Sequence, residues 1–99
     1  MSKHTEGPWF CPTPLYRTFY VEARIDGGML QEVASCGPTA DPAQQAANAQ
    51  LIAAAPELLE ALKLALEYWR HRQQRYKNRS PVWVQAARAA IAKATGEQP

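Results

Sequence analysis

Ninety-nine residues with 46% hydrophobic and 20% charged composition describe one globular domain rather than a disordered chain or a membrane protein. No apolar run approaches the roughly 20 residues that span a bilayer, since the longest, Leu51-Ile-Ala-Ala-Ala, ends at Pro56. The opening Met1-Ser-Lys-His-Thr-Glu-Gly-Pro has no apolar stretch after its lysine and does not read as a secretory signal, so the expected setting is the cytoplasm, without a membrane partner.

Residues 8–38 read as β structure. Trp9-Phe10-Cys11 forms a short first strand, limited by Pro12 and Pro14. From Tyr16 to Ile25 the residues alternate. Arg17, Phe19, Val21, Ala23 and Ile25 make one mostly apolar face, and Tyr16, Thr18, Tyr20, Glu22 and Arg24 a wet one. Asp26-Gly27-Gly28 suits a hairpin turn. The return strand, Met29 to Ser35, alternates poorly, and its register stays open. The sum is a three-stranded antiparallel meander.

Gly37-Pro38 ends the sheet, and Asp41-Pro42-Ala43-Gln44 opens a helix with a capping residue followed by proline. Three helices are expected, over about 42–55, 56–76 and 81–95. Pro56 divides the first two because it lacks an amide donor and crowds the preceding turn. The second carries an apolar stripe of Leu58, Leu59, Leu62, Ala65, Leu66, Trp69 and Tyr76. Ser80-Pro81 repeats the cap-then-proline start. The third helix carries Val82, Trp83, Ala86, Ala87, Ala90 and Ile91 and stops near Gly96, with a frayed tail over 96–99. The predicted fold is therefore a single α+β domain over 1–99, with the helices packed on the sheet and on each other.

Three segments resemble a family of small phage and prophage proteins. His4-Thr5-Glu6-Gly7-Pro8-Trp9 is similar to its HTPGPW opening, with Glu6 where proline is usual. Residues 47–62, ANAQLIAAAPELLEAL, are similar to its central block, and Ala89-Ala-Ile-Ala-Lys-Ala-Thr-Gly96 to its last helix. The resemblance implies phage or prophage origin and no particular activity. Small phage accessory proteins often act on the host, including by blocking immune nucleases or sequestering nucleotide signals. On that analogy the expected role is binding a host macromolecule, with inhibition of antiviral defence, in the manner of anti-CRISPR proteins, as one form.

The formal charge of +2 conceals a polarity. Residues 1–67 hold eight acids against Lys3, Arg17, Arg24 and Lys63, a balance of −4. Residues 68–99 hold seven bases against Glu97 alone, a balance of +6. On a helix, Leu64, Tyr68, Arg72, Arg75 and Arg79 lie along one line about 90° from the Leu58/Leu62/Trp69 stripe. Tyr68, Arg72, Arg75 and Arg79 are accordingly the candidate partner- or phosphate-binding residues. Guanidinium groups grip carboxylates and phosphates, and the tyrosine ring can stack. Positive charge at a helix C-terminus is also favoured by the helix dipole alone.

The partners in view are a host protein or complex, then a phosphorylated nucleotide held in an oligomer, or nucleic acid on the basic helix. No helix-turn-helix, zinc finger or RNP motif supports the last. Tyr16 and Tyr20, on the wet sheet face, are a possible interface. Trp69, Trp83 and Tyr76 offer more aromatic surface than so small a core hides, which suggests a homo-oligomer.

Gln45 and Asn48 interrupt the apolar face of the first helix, and a buried amide there needs a backbone partner. Glu60, Lys63 and Glu67 are spaced as a salt-bridge ladder. Cys11 and Cys36, without nearby histidine, are no zinc site and read as small buried residues, a disulfide being the lesser alternative. His4 and His71 lack a nucleophile or acid at a useful spacing. No catalytic residue, metal site or cofactor is expected, and an enzyme is the least supported class.

Overall fold

The computed structural model describes residues 4–12, 18–72 and 81–97. The elements run β1 (Trp9–Phe10), β2 (Phe19–Arg24), a 3-10 turn (Asp26–Gly28), β3 (Leu30–Cys36), α1 (Pro42–Ala53), α2 (Ala55–Arg72) and α3 (Val82–Thr95). The fold is α+β: an antiparallel sheet in the order β1-β2-β3, followed by three helices. The chain divides into two compact units, Met1–Glu57 and Leu58–Pro99, with the boundary in the first turn of α2.

The first unit is the sheet and α1. β2 is its centre, pairing Trp9↔Ala23 and Phe10↔Glu22 on one side and Phe19↔Cys36 through Arg24↔Leu30 on the other. The expected alternation holds: Val21 and Ala23 have no exposed surface, while Arg24 on the other face is exposed. Helix α1 packs across all three strands. Burying one Val-sized side chain contributes about 1.5–3 kcal/mol, so Val21 alone is a sizeable part of a small core.

The hairpin turn forms where Asp26-Gly27-Gly28 placed it. Both glycines sit at φ 79°, the left-handed region that side chains avoid. Gly28 N donates to Ile25 O at 2.9 Å, and Ile25 N to Met29 O at 2.8 Å. The register of β3 carries an irregularity: Val21 pairs Ala34, but Glu22 pairs Glu32, leaving Val33 as an extra residue. Such a bulge reverses the parity of the strand. That is why β3 alternates poorly in sequence, and why Val33 and Ala34 are both half-buried.

Helix α1 starts as its sequence directs. Asp41 Oδ1 accepts from Ala43 N at 3.0 Å, Pro42 occupies the first turn, and Thr39 Oγ1 donates to Asp41 O. Gln45 and Ala49 are its buried residues. Gln45 makes the expected backbone bond, Nε2 to Cys36 O at 2.7 Å. Asn48 does not share its burial. It is exposed, because the buried stripe runs along Gln45, Ala49 and the half-buried Ile52 and Ala53, and Asn48 lies to one side. Ala54 ends α1 and Pro56 falls within the first turn of α2, where its missing amide costs no helical bond.

The second unit holds the rest of α2 and α3. Leu59 is buried, and Leu62, Leu66 and Trp69 are half-buried at helical spacing, whereas Leu58 and Ala65, expected in the same stripe, are exposed. The predicted stretch 73–76 of this helix, Tyr76 included, lies outside the described residues, as does Ser80. Pro81 is the N-cap of α3 rather than its first residue, and it makes no side-chain cap bond. Of the stripe expected on α3, Ala87 is buried and Ile91 half-buried, whereas Val82 (87% exposed), Trp83, Ala86 and Ala90 are exposed, and Val84, not expected on that face, is buried. Gly96, at φ 76°, closes α3, and Glu97 N donates to Ala92 O at 2.9 Å. No helix among the described residues is long and apolar enough to cross a membrane.

Candidate functional site

Of the four residues expected to grip a partner, Tyr68 and Arg72 are described, and Arg75 and Arg79 lie outside the described residues. Tyr68 and Arg72 are four apart on α2 and so fall one above the other on the same face. The Arg72 guanidinium carbon stands 5.4 Å from the centre of the Tyr68 ring, within cation–π range. Tyr68 is 64% exposed, so the pair presents itself to solvent. Arg72 has no carboxylate within ion-pair distance among the described residues.

Beside that pair lies an apolar concavity of about 390 Å³ lined by Ala65, Tyr68, Trp69, Arg72 and Trp83. Trp69, near the end of α2, and Trp83, in the first turn of α3, meet edge to face, with ring centres 6.2 Å apart and planes at 74°. Such aromatic pairs contribute about 0.5–1.5 kcal/mol beyond area burial, and this one sets the walls of the concavity. Trp69 Nε1 is buried and has no hydrogen-bond partner among the described residues. An indole N–H is a donor only, and a buried donor left unmade costs about 1–3 kcal/mol.

The sequence pointed to Tyr68 and Arg72, whereas Trp69 and Trp83 were expected on the apolar faces of their helices and as surplus aromatic surface suited to a homo-oligomer. The two tryptophans belong to the site. Their identity as bulky, incompletely hidden rings was the available signal. What was missing was that α3 brings Trp83 back to the end of α2.

Of the possible sheet interface, Tyr16 lies outside the described residues. Tyr20 is half-buried opposite Ser35 on the outer face of β2. Nearby on that face Arg24 stands over the Phe10 ring at 6.0 Å. A second concavity, about 540 Å³, is lined by Thr5, Glu6, Arg24, Ile25, Asp26 and Gln31 at the hairpin end of the sheet. Its charges are of both signs, so it presents no single preference to a charged ligand.

Lys63 reaches Glu60 at 3.9 Å between exposed side chains, a contact worth about 0–1 kcal/mol. Glu67 does not extend the ladder among the described residues. His4 Nδ1 lies 2.9 Å from Thr5 O, its ring meets Trp9 edge-on at 6.2 Å, and Trp9 Nε1 donates to Thr5 O at 3.1 Å. Cys11 and Cys36 are free and half-buried. Cys11 Sγ donates to Ala49 O at 3.3 Å, and burial, with the nearby Cys36 thiol as the smaller cause, pushes its ionisation above the ordinary thiol range. Among the described residues, no group of three or more His, Cys, Asp or Glu is placed to hold a metal ion.

The family described as Salmonella phage P22 protein Y8K6 matches residues 1–98. The chain belongs to that family. The match extends over both units, so the sheet with α1 and the tryptophan-lined face of α2 and α3 all fall inside the family's extent. No curated protein and no solved structure matches the chain.

Proposed function

We propose that this member of the phage P22 family is a non-enzymatic accessory protein that binds a macromolecule of the bacterial host through the face of α2 centred on Tyr68 and Arg72. The observation that carries the reading is the arrangement of Arg72. Its guanidinium is held over an exposed tyrosine ring, beside a tryptophan-lined concavity, with no carboxylate partner among the described residues. Trp, Tyr and Arg are the side chains that dominate binding energy at protein interfaces. The seven bases in residues 68–99 favour an acidic partner. Membership of a phage protein family supports the host cell as the setting, and inhibition of a host antiviral system is the proposed outcome of binding.

Capture from host lysate on the tagged chain tests this. The wild type should retain a stoichiometric protein partner. Arg72→Glu should lose it, and Arg88→Glu, exposed on α3 away from the concavity lining, should keep it. Absence of a stoichiometric partner, or equal capture by Arg72→Glu, overturns the reading. Unchanged host immunity on expression removes the defence part of it.

A further inference from the structure

Resting on that reading, we propose that the Trp69–Trp83 concavity seats a single aromatic side chain from an acidic segment of the partner protein, with Arg72 pairing to a carboxylate beside it. The walls contributed by Ala65, Tyr68, Trp69 and Trp83 are carbon surface, which selects an apolar anchor. The volume of about 390 Å³ lies near the lower end of the roughly 300–1,000 Å³ range of ligand clefts and has room for an aromatic side chain.

The polar groups at this site point to an acceptor-rich occupant. Arg72 and the Trp69 indole can only donate, and the Trp69 N–H is a buried donor without an acceptor among the described residues. Trp69 lines the concavity, so movement of its ring on occupancy can bring that donor to a carbonyl of the incoming chain. A nucleotide is disfavoured by the same inventory. Phosphate sites gather several donors, often backbone amides at a helix N-terminus, and among the described residues Arg72, in the last turn of α2, is the one cation lining the concavity. The charge beside it agrees with an acidic segment: the last turn of α2 carries Arg70 and Arg72.

The test uses the full chain with ¹⁵N-labelled tryptophan, following the indole N–H signals of Trp9, Trp69 and Trp83. The probes are a blocked pentapeptide with one phenylalanine flanked on each side by two aspartates, its all-asparagine counterpart, and ADP. The acidic peptide should shift Trp69 and Trp83 saturably and leave Trp9 in place. The asparagine peptide should bind at least tenfold more weakly, and ADP should shift neither signal. Trp83→Ala should abolish the Trp69 response and Trp83→Phe should retain it, with an unchanged Trp9 signal reporting that the sheet unit is intact. No response to the acidic peptide, or an equal or stronger response to either other probe, overturns the proposal. The two readings separate in the lysate capture. If Arg72→Glu loses the partner while Trp83→Ala keeps it, the aromatic anchor fails and the binding face stands. If neither variant loses it, the binding face fails as well.

Discussion

A Cβ on Gly7 would lie 2.9 Å from Cβ of Pro56 and 3.2 Å from its Cγ. Gly7 belongs to the opening segment that resembles HTPGPW, and Pro56 to the central block at the α1–α2 junction, so the two most distinctive stretches of the sequence touch. Pro56 is buried, and its ring is rigid. Only a residue without a side chain fits against it. Gly7→Ala should therefore destabilise the protein by about 1–3 kcal/mol, the usual cost of overpacking, read as a lower urea midpoint. Unchanged stability would mean that the opening segment moves away from Pro56 freely.

Gln45 joins α1 to the end of β3. Replacing it by leucine keeps the bulk but leaves Cys36 O without its 2.7 Å donor. A loss of about 0.5–1.5 kcal/mol is expected for the missing hydrogen bond to this part-buried acceptor. Gln45→Glu should also destabilise at neutral pH, because a carboxylate cannot donate to a carbonyl. Urea unfolding of both variants checks this, and a neutral Gln45→Leu would count against the bond's structural role.

The half-buried Cys11 thiol predicts a pH effect of definite sign. Its ionisation lies above the ordinary thiol range in the folded protein, mainly through burial. Above about pH 8.5, where an unfolded thiol begins to ionise, the unfolded chain loses this proton while the folded chain keeps it. The stability contributed by the group is thus complete below that pH and declines as pH rises toward the folded value. Thermal unfolding between pH 7 and 10 should show a smaller decline for Cys11→Ala than for the wild type. Parallel curves would contradict the assignment.

Much of the fold could be read locally. Asp41-Pro42, Pro56, Gly96 and Asp26-Gly27-Gly28 each act through their own backbone chemistry, and each ended or began an element where expected. What failed depended on distant partners. The Val33 bulge is set by how β3 pairs with β2, so the poor alternation of β3 marks an irregularity without placing it. On α3 Val84 is buried and Val82 exposed, because helical spacing fixes which residues share a face but not which face turns inward. At the candidate site, Tyr68 and Arg72 were legible because they share one helix face. Trp83 was not, since it reaches the site from another helix.

The proposed function stands or falls on whether the face around Arg72 grips a partner. Its most direct measurement is the affinity of the captured partner for wild type, Arg72→Glu and Arg88→Glu at low and moderate salt. Arg72→Glu should weaken binding at least tenfold and flatten its salt dependence, while Arg88→Glu stays within a factor of about three, as expected for a contact charge against a distant one. Equal losses in both variants would show that general positive charge, and not this site, holds the partner.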